Sequence, residues 1–169
     1  MSREKVFKNT VIGKAGGRNL EADLYIPQKK AQKQPALVII HGGGWRKGST
    51  NGVKGFGILL SRSGFVCICP SYRLSPEAPW PAQIEDVKCS IRYLKTNCEK
   101  LGVDPLRIGA VGDSAGGHLA LMTAVKTNFE GKGGHAQSSS TVKAVASLYG
   151  PTMIHKNLES NKLLMGPTA

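Results

Sequence analysis

A chain of 169 residues reads as one domain, residues 1–169, long enough to bury about 70% of the surface its unfolded form exposes. With 40% hydrophobic and 20% charged residues it has the composition of a globular domain, and no apolar run approaches the ~20 residues a membrane span requires. The net charge is +12, but its one dense cluster is QKKAQKQ at 28–34 and the other cations are scattered, which reads as a solvated surface and argues against a nucleic-acid interface.

The N-terminal segment MSREKVFKNTVIGKAGG is charged and has no apolar signal core, so a cytoplasmic location is expected. VFKNTVI (6–12) and LEADLYI (20–26) mix apolar and polar residues and predict an antiparallel pair turned at Gly16 and Gly17. ALVII (36–40) is a continuous apolar run, the pattern of a strand buried on both faces. GFGILLSRSG (55–64) predicts a helix closed by Gly64, followed by a second buried strand, FVCIC (65–69), stopped by Pro70. From Pro81 to Leu101, Ile84, Val87, Ile91 and Leu94 recur at helical spacing, with Lys88, Arg92 and Lys95 off that apolar face. Gly102 is the expected stop and Asp104-Pro105 the following turn.

RIGAV (107–111) is a third buried strand, AGGHLALMTAVK (115–126) a helix opening directly from it, and VKAVASLY (142–149) a fourth strand. Strands alternating with helices imply a mostly parallel sheet with helices on both faces. EGKGGHAQSSST (130–141) is expected to be a flexible surface loop, and residues 152–165 one irregular helix. Cys67, Cys69, Cys89 and Cys98 form no CxxC pair and read as structural; neither metal nor organic cofactor is implied.

Gly112-Asp113-Ser114-Ala115-Gly116 matches G-x-S-x-G, with a buried strand before it and a helix after it. That context describes a sharp strand-to-helix elbow that lifts a serine hydroxyl above the carboxyl edge of the sheet. His41-Gly42-Gly43-Gly44-Trp45 follows another buried strand and matches the HGGG type of loop, whose glycines let backbone N–H groups face a substrate oxygen. The two motifs together point to acyl transfer. Ser114 is the candidate nucleophile, the N–H groups of Gly43, Gly44 and Ala115 the candidate oxyanion hole, and Trp45 a candidate substrate-binding residue at the entrance with Trp80. Asp113 is read as a support of the elbow, and His41 as a brace of the glycine loop.

Ser71-Tyr72-Arg73-Leu74-Ser75-Pro76-Glu77, followed by Pro81-Ala82-Gln83-Ile84-Glu85-Asp86-Val87, resembles the YRL-x-PE…PA-x-x-x-D segment of α/β-hydrolase esterases. With GDSAGGHLA and LYGPT (148–152), the chain resembles, over residues 5 to 166, the hormone-sensitive-lipase-like group and its bacterial carboxylesterase, xylan acetyl esterase and feruloyl-esterase-like relatives. The resemblance implies an α/β-hydrolase fold and hydrolysis of small-molecule esters by a Ser-His-Asp triad. It also implies an ion-pair network of Arg73, Glu77 and Asp86. In that group the acid and the histidine follow the serine after further strands. Beyond Ser114 this chain has only Glu130 and Glu159 as carboxylates, and His118, His135 and His155 as histidines. The first two histidines are expected to pack or be solvated, and His155 is the least implausible base. The expectation is therefore an N-terminal portion that lacks the C-terminal strands, with the acid and base outside it. The alternatives are a shortened, inactive binding protein and a peptidase or amidase on the same fold. Oligomeric state is not legible.

Overall fold

The computed structural model describes residues 4–28, 33–75 and 77–154. Six strands form one sheet: β1 (Lys5–Ala15), β2 (Arg18–Ile26), β3 (Gln34–Ile40), β4 (Val66–Ser71), β5 (Val103–Asp113) and β6 (Ala144–Leu148), in the order β1-β2-β4-β3-β5-β6. β1 and β2 are antiparallel, as is β2 against β4; β4, β3, β5 and β6 run parallel. This is the mostly parallel sheet the alternation of elements predicts.

The helices divide between its faces. α2 (Ala82–Thr96) and α4 (Ala115–Ala124) cover one face, and the main core lies between them and the sheet, with Ile40, Ile68, Ile84, Ile91, Leu94 and Leu119 fully buried. α1 (Lys54–Arg62) covers part of the other face, over a smaller cluster of Tyr25, Ile39, Val53, Cys67 and Cys69. Each central strand feeds both cores in alternation, Val38 and Ile40 to one and Ile39 to the other. That is why ALVII and FVCIC are apolar without a break.

Three boundaries differ from the sequence reading, each for a local reason. Pro70 does not stop its strand. Pairing of β4 with β3 ends at Ile68, and Pro70 continues opposite Ala22 of β2, where the β3 side requires no N–H. Asp104-Pro105 lies inside β5, because residues 104–107 bulge out between the Gln34–Val103 and Ala36–Ile108 pairs; the Asp104 carboxylate accepts the Leu106 N–H at 3.0 Å. The long helix breaks at Asn97, whose side-chain amide donates to the Tyr93 carbonyl at 2.9 Å. The chain then makes a single turn, α3 (Cys98–Leu101), that ends on left-handed Gly102.

The segment at 130–141 is not a loose loop. It lies along α2 and is fastened to β1 by a hydrogen bond from the Lys14 N–H to the Gly133 carbonyl at 2.8 Å. Lys88 and Arg92, each 3% exposed, reach under it. Lys88 Nζ is 2.7 Å and Arg92 Nη1 3.2 Å from the Glu130 carboxylate. His135 is not solvated either: its ring meets Tyr93 edge-on, and Nε2 lies 3.0 Å from the Ile12 carbonyl. The irregular helix expected from 152 onward lies outside the described residues after Ile154.

Candidate active site

β5 ends at Asp113 and α4 begins at Ala115, so Ser114 alone makes the turn from strand to helix. Its backbone sits at φ 50°, ψ −119°, a conformation that costs a residue with a side chain about 1–3 kcal/mol. The turn closes tightly. A Cβ on Gly112 would strike the Gly116 carbonyl, and one on Gly116 would strike the Ile40 carbonyl. Glycine at both positions is thus dictated by the close approach of elbow and β3. The Ser114 N–H donates to the Leu148 carbonyl at 2.9 Å, and its carbonyl accepts from His118 N–H at 3.0 Å, starting α4. No described side chain hydrogen-bonds the Ser114 hydroxyl.

The glycine loop lies beside this elbow because β3 is the inner neighbour of β5, with Ile40 opposite Gly112. Gly43, Gly44 and Trp45 have φ of 118°, 60° and 59°, so the backbone turns left-handed through three successive residues. The Gly43 carbonyl accepts from the N–H groups of Arg46 and Lys47, at 3.2 and 3.1 Å. The N–H groups of Gly43 and Gly44 have no partner among the described residues. Ala115 opens α4, where the first backbone N–H groups of a helix have no intrahelical acceptor. The three candidate oxyanion donors thus have no acceptor among the described residues.

Four contacts brace the loop. Asp113 Oδ1 accepts the Gly42 N–H at 2.9 Å, as expected of an elbow support. The Tyr72 hydroxyl donates to the His41 carbonyl at 3.0 Å, and the two rings stack with centroids 4.3 Å apart. His41 Nδ1 lies 2.7 Å from the Gly42 carbonyl, and burial lowers its pKa, which keeps the ring neutral. The Trp45 carbonyl accepts from Ser75 N–H at 2.7 Å. The sequence reading of His41 as a brace matches this geometry.

Trp45, expected at the entrance, is 3% exposed and belongs to the main core. Its ring meets His118 edge-on at 5.4 Å, and Trp80 meets the same imidazole at 5.8 Å. His118 therefore packs between two indoles; burial lowers its pKa to about 4, and its Nδ1 has no hydrogen-bond partner. His155 lies outside the described residues.

The Arg73 network forms with one partner exchanged. Asp86 accepts the Arg73 backbone N–H at 2.8 Å and grips its guanidinium through Nε and Nη2, the latter at 2.7 Å. Glu77 pairs instead with Arg18 of β2 at 2.8 Å, and Glu85 is the second carboxylate near Arg73, at 3.6 Å. The pair lies at the start of α2 and holds the segment after β4 under the glycine loop. Among the described residues no group of His, Cys, Asp and Glu side chains could hold a metal ion, and no helix is long and apolar enough to cross a membrane.

Residues 22–166 match the BD-FAE family. Arylacetamide deacetylase of Oryctolagus cuniculus is 36% identical over 69% of this chain and 31% of its own length. Esterase LipC of Mycobacterium tuberculosis is 35% identical over 74% of this chain and 31% of its own. Among solved structures, esterase 2 of Thermogutta terrifontis with propionate bound superposes with a TM-score of 0.81 at 26% identity, covering 95% of this chain and 62% of that one. A truncated carbohydrate esterase from gut microbiota gives 0.80 at 28% identity, covering 97% of this chain and 66% of that one. The chain thus spans about a third of the length of these curated relatives. With the sheet order above, these likenesses give it the α/β-hydrolase fold.

Proposed function

Because the chain belongs to the BD-FAE family, we propose that it carries the nucleophile and oxyanion elements of a serine carboxylic-ester hydrolase of the hormone-sensitive-lipase-like group. The observation that carries the reading is the strained Ser114 at the strand-to-helix turn, set beside the left-handed run Gly43-Gly44-Trp45.

Ser114 attacks the carbonyl carbon of a small ester, and the alkoxide that develops on the carbonyl oxygen is met by the N–H groups of Gly43, Gly44 and Ala115. Each such donor is worth roughly 100- to 1,000-fold in rate. Collapse of the tetrahedral intermediate expels the alcohol and leaves an acyl group on Ser114, which water then releases as a carboxylic acid. The proton shuttle is a histidine oriented by a carboxylate, both read as lying outside these residues: His41, His118 and His135 are each engaged in packing or hydrogen bonding, and the chain spans about a third of the length of its curated relatives. Trp45 serves by fixing the shape of the loop from beneath, with its ring in the core.

The test is hydrolysis of p-nitrophenyl acetate and of the matching anilide by the natural gene product and by its Ser114→Ala variant. Loss of ester turnover in the variant, with slow or no anilide cleavage, is expected. Turnover that survives Ser114→Ala overturns the mechanism. Faster anilide than ester cleavage would favour the amidase reading, to which the name of the deacetylase relative lends support. A natural product without turnover, bearing no acid and histidine beyond these residues, would make the chain a binding protein on a hydrolase scaffold.

A further inference from the structure

A cavity lies away from Ser114, between the antiparallel β1–β2 pair and the end of α2. Its volume is about 340 Å³, within the usual range for small-molecule pockets. Phe7 stands opposite Leu24, and Lys5 opposite Ile26, so all four project from the same face of the sheet. Leu24, Ile26 and Leu101 make an apolar floor. Phe7 and Tyr93 make the walls, and Phe7 is 51% exposed, an aromatic ring left half in water.

The Tyr93 wall is held in place from behind. His135 packs edge-on against its ring at 5.5 Å, and the Asn97 side chain ties its carbonyl. The cavity is therefore preformed by the packed end of α2. Among the described residues its charged lining groups are Lys5 and Lys100, and none of the lining residues is a carboxylate. Two cations beside one apolar groove, with no anion between them, complement a ligand that is apolar along its length and negative at one end.

We propose that this groove binds a medium-chain carboxylate, the alkyl chain lying over Leu24, Ile26 and Leu101 and the carboxylate meeting Lys5 and Lys100. The site is independent of Ser114 and of the reaction proposed for it. An uncharged alkyl chain would gain the floor and walls only. A short carboxylate would gain the lysines only, and those contacts are exposed and screened by salt.

The experiment is calorimetric titration of the natural gene product with decanoate, hexanoate and decanol. Decanoate is expected to saturate one site. Burial of each methylene should tighten binding roughly fourfold, so decanoate should exceed hexanoate by up to about 200-fold. The double variant Lys5→Glu/Lys100→Glu should weaken decanoate about tenfold or more while leaving decanol unchanged. Phe7→Ala, at a half-exposed position where folding is little affected, should weaken both. No saturable decanoate binding overturns the proposal. So does decanoate binding that none of these variants alters, which would place the ligand elsewhere, beside Ser114 for instance. A dimer that Phe7→Asp dissociates and decanoate does not disturb would assign the groove to a second copy, and also overturns it.

Discussion

The carboxylate of Asp113 and the backbone N–H of Gly42 are joined at 2.9 Å, across a gap of 71 residues in sequence. This bond ties the residue before the candidate nucleophile to the first glycine of the candidate oxyanion loop. The same carboxylate fills the space a Cβ on Gly42 would enter, at 2.6 Å, so the contact also demands glycine at 42. Elbow and loop are consequently one rigid unit, not two neighbouring motifs.

Asp113→Ala should release the loop. A hydrogen bond to a charged acceptor is worth about 1.5–3 kcal/mol, and its loss should appear as faster amide exchange from Gly42 to Trp45. In the natural gene product kcat should fall about 10- to 100-fold with KM little changed, because a displaced donor is felt chiefly in the transition state. Asp113→Asn keeps an acceptor oxygen at the same place and should restore most of the rate. Equal damage from both variants would count against a positioning role.

His118 should give the fold a pH dependence. Its pKa is about 4 when folded, against about 6.5 for a free imidazole, because burial between Trp45 and Trp80 disfavours the charged ring. Well above pH 6.5 the ring is neutral in both states and contributes no slope. Between 6.5 and 4 the unfolded chain takes up a proton that the folded one refuses, so stability falls as pH drops through that window. At pH 5 the loss should be about 2 kcal/mol relative to pH 7. His118→Gln should flatten this part of the profile, as read from urea midpoints at the two pH values.

Much of this architecture is legible from apolar pattern alone. ALVII, FVCIC and RIGAV are apolar because both sheet faces are covered where they run, and the elbow is legible because G-x-S-x-G sits between such a strand and a helix. What the pattern could not reveal is pairing between distant segments. Lys88 and Arg92 lie off the apolar stripe of α2 and read as solvated, yet Glu130, 42 and 38 residues later, covers both. Glu77 shares a motif with Arg73 but finds Arg18, because β2 brings that cation alongside. Trp45 reads as a substrate-binding residue at the entrance; the left-handed turn at 43–45 instead turns its ring inward against His118. In each case the local residues permit two partners, and the sheet order decides between them.

Glu130 therefore becomes a stability determinant in a segment rich in glycine and serine. Burial alone would raise its pKa, but hydrogen bonds from Lys88 and Ser140 outweigh this and hold the carboxyl below its ordinary value. Removing it by Glu130→Ala leaves two cations buried without their carboxylate. A fully buried pair would lose about 3–5 kcal/mol; with the Glu130 side chain 52% exposed, about 1–3 kcal/mol is expected. Because its folded pKa is lowered, the contribution is complete above the ordinary glutamate range and fades as pH falls through it. Thermal melts of wild type and variant at pH 7 and pH 4 should differ most at pH 7.

The sheet itself points to the last test. β6 pairs with β5 on one side and, among the described residues, has no partner on its other edge. Ala144, Ala146 and Leu148 alternate outward on the face away from α4 and are all exposed, and Tyr149 beyond them is 78% exposed. Phe56 and Leu59 of α1 are also exposed. An unpaired strand with apolar side chains is a template for pairing with another chain. The 169-residue chain on its own should therefore self-associate as its concentration rises, seen as a shift to faster species in sedimentation velocity. A charge on the edge opposes strand addition, so Ala146→Lys should weaken association about tenfold or more without lowering the melting temperature. Phe7→Asp, at the far edge of the sheet on β1, should leave the association unchanged. A chain that stays monomeric over the whole range would mean that the free edge of β6 is already protected within the monomer.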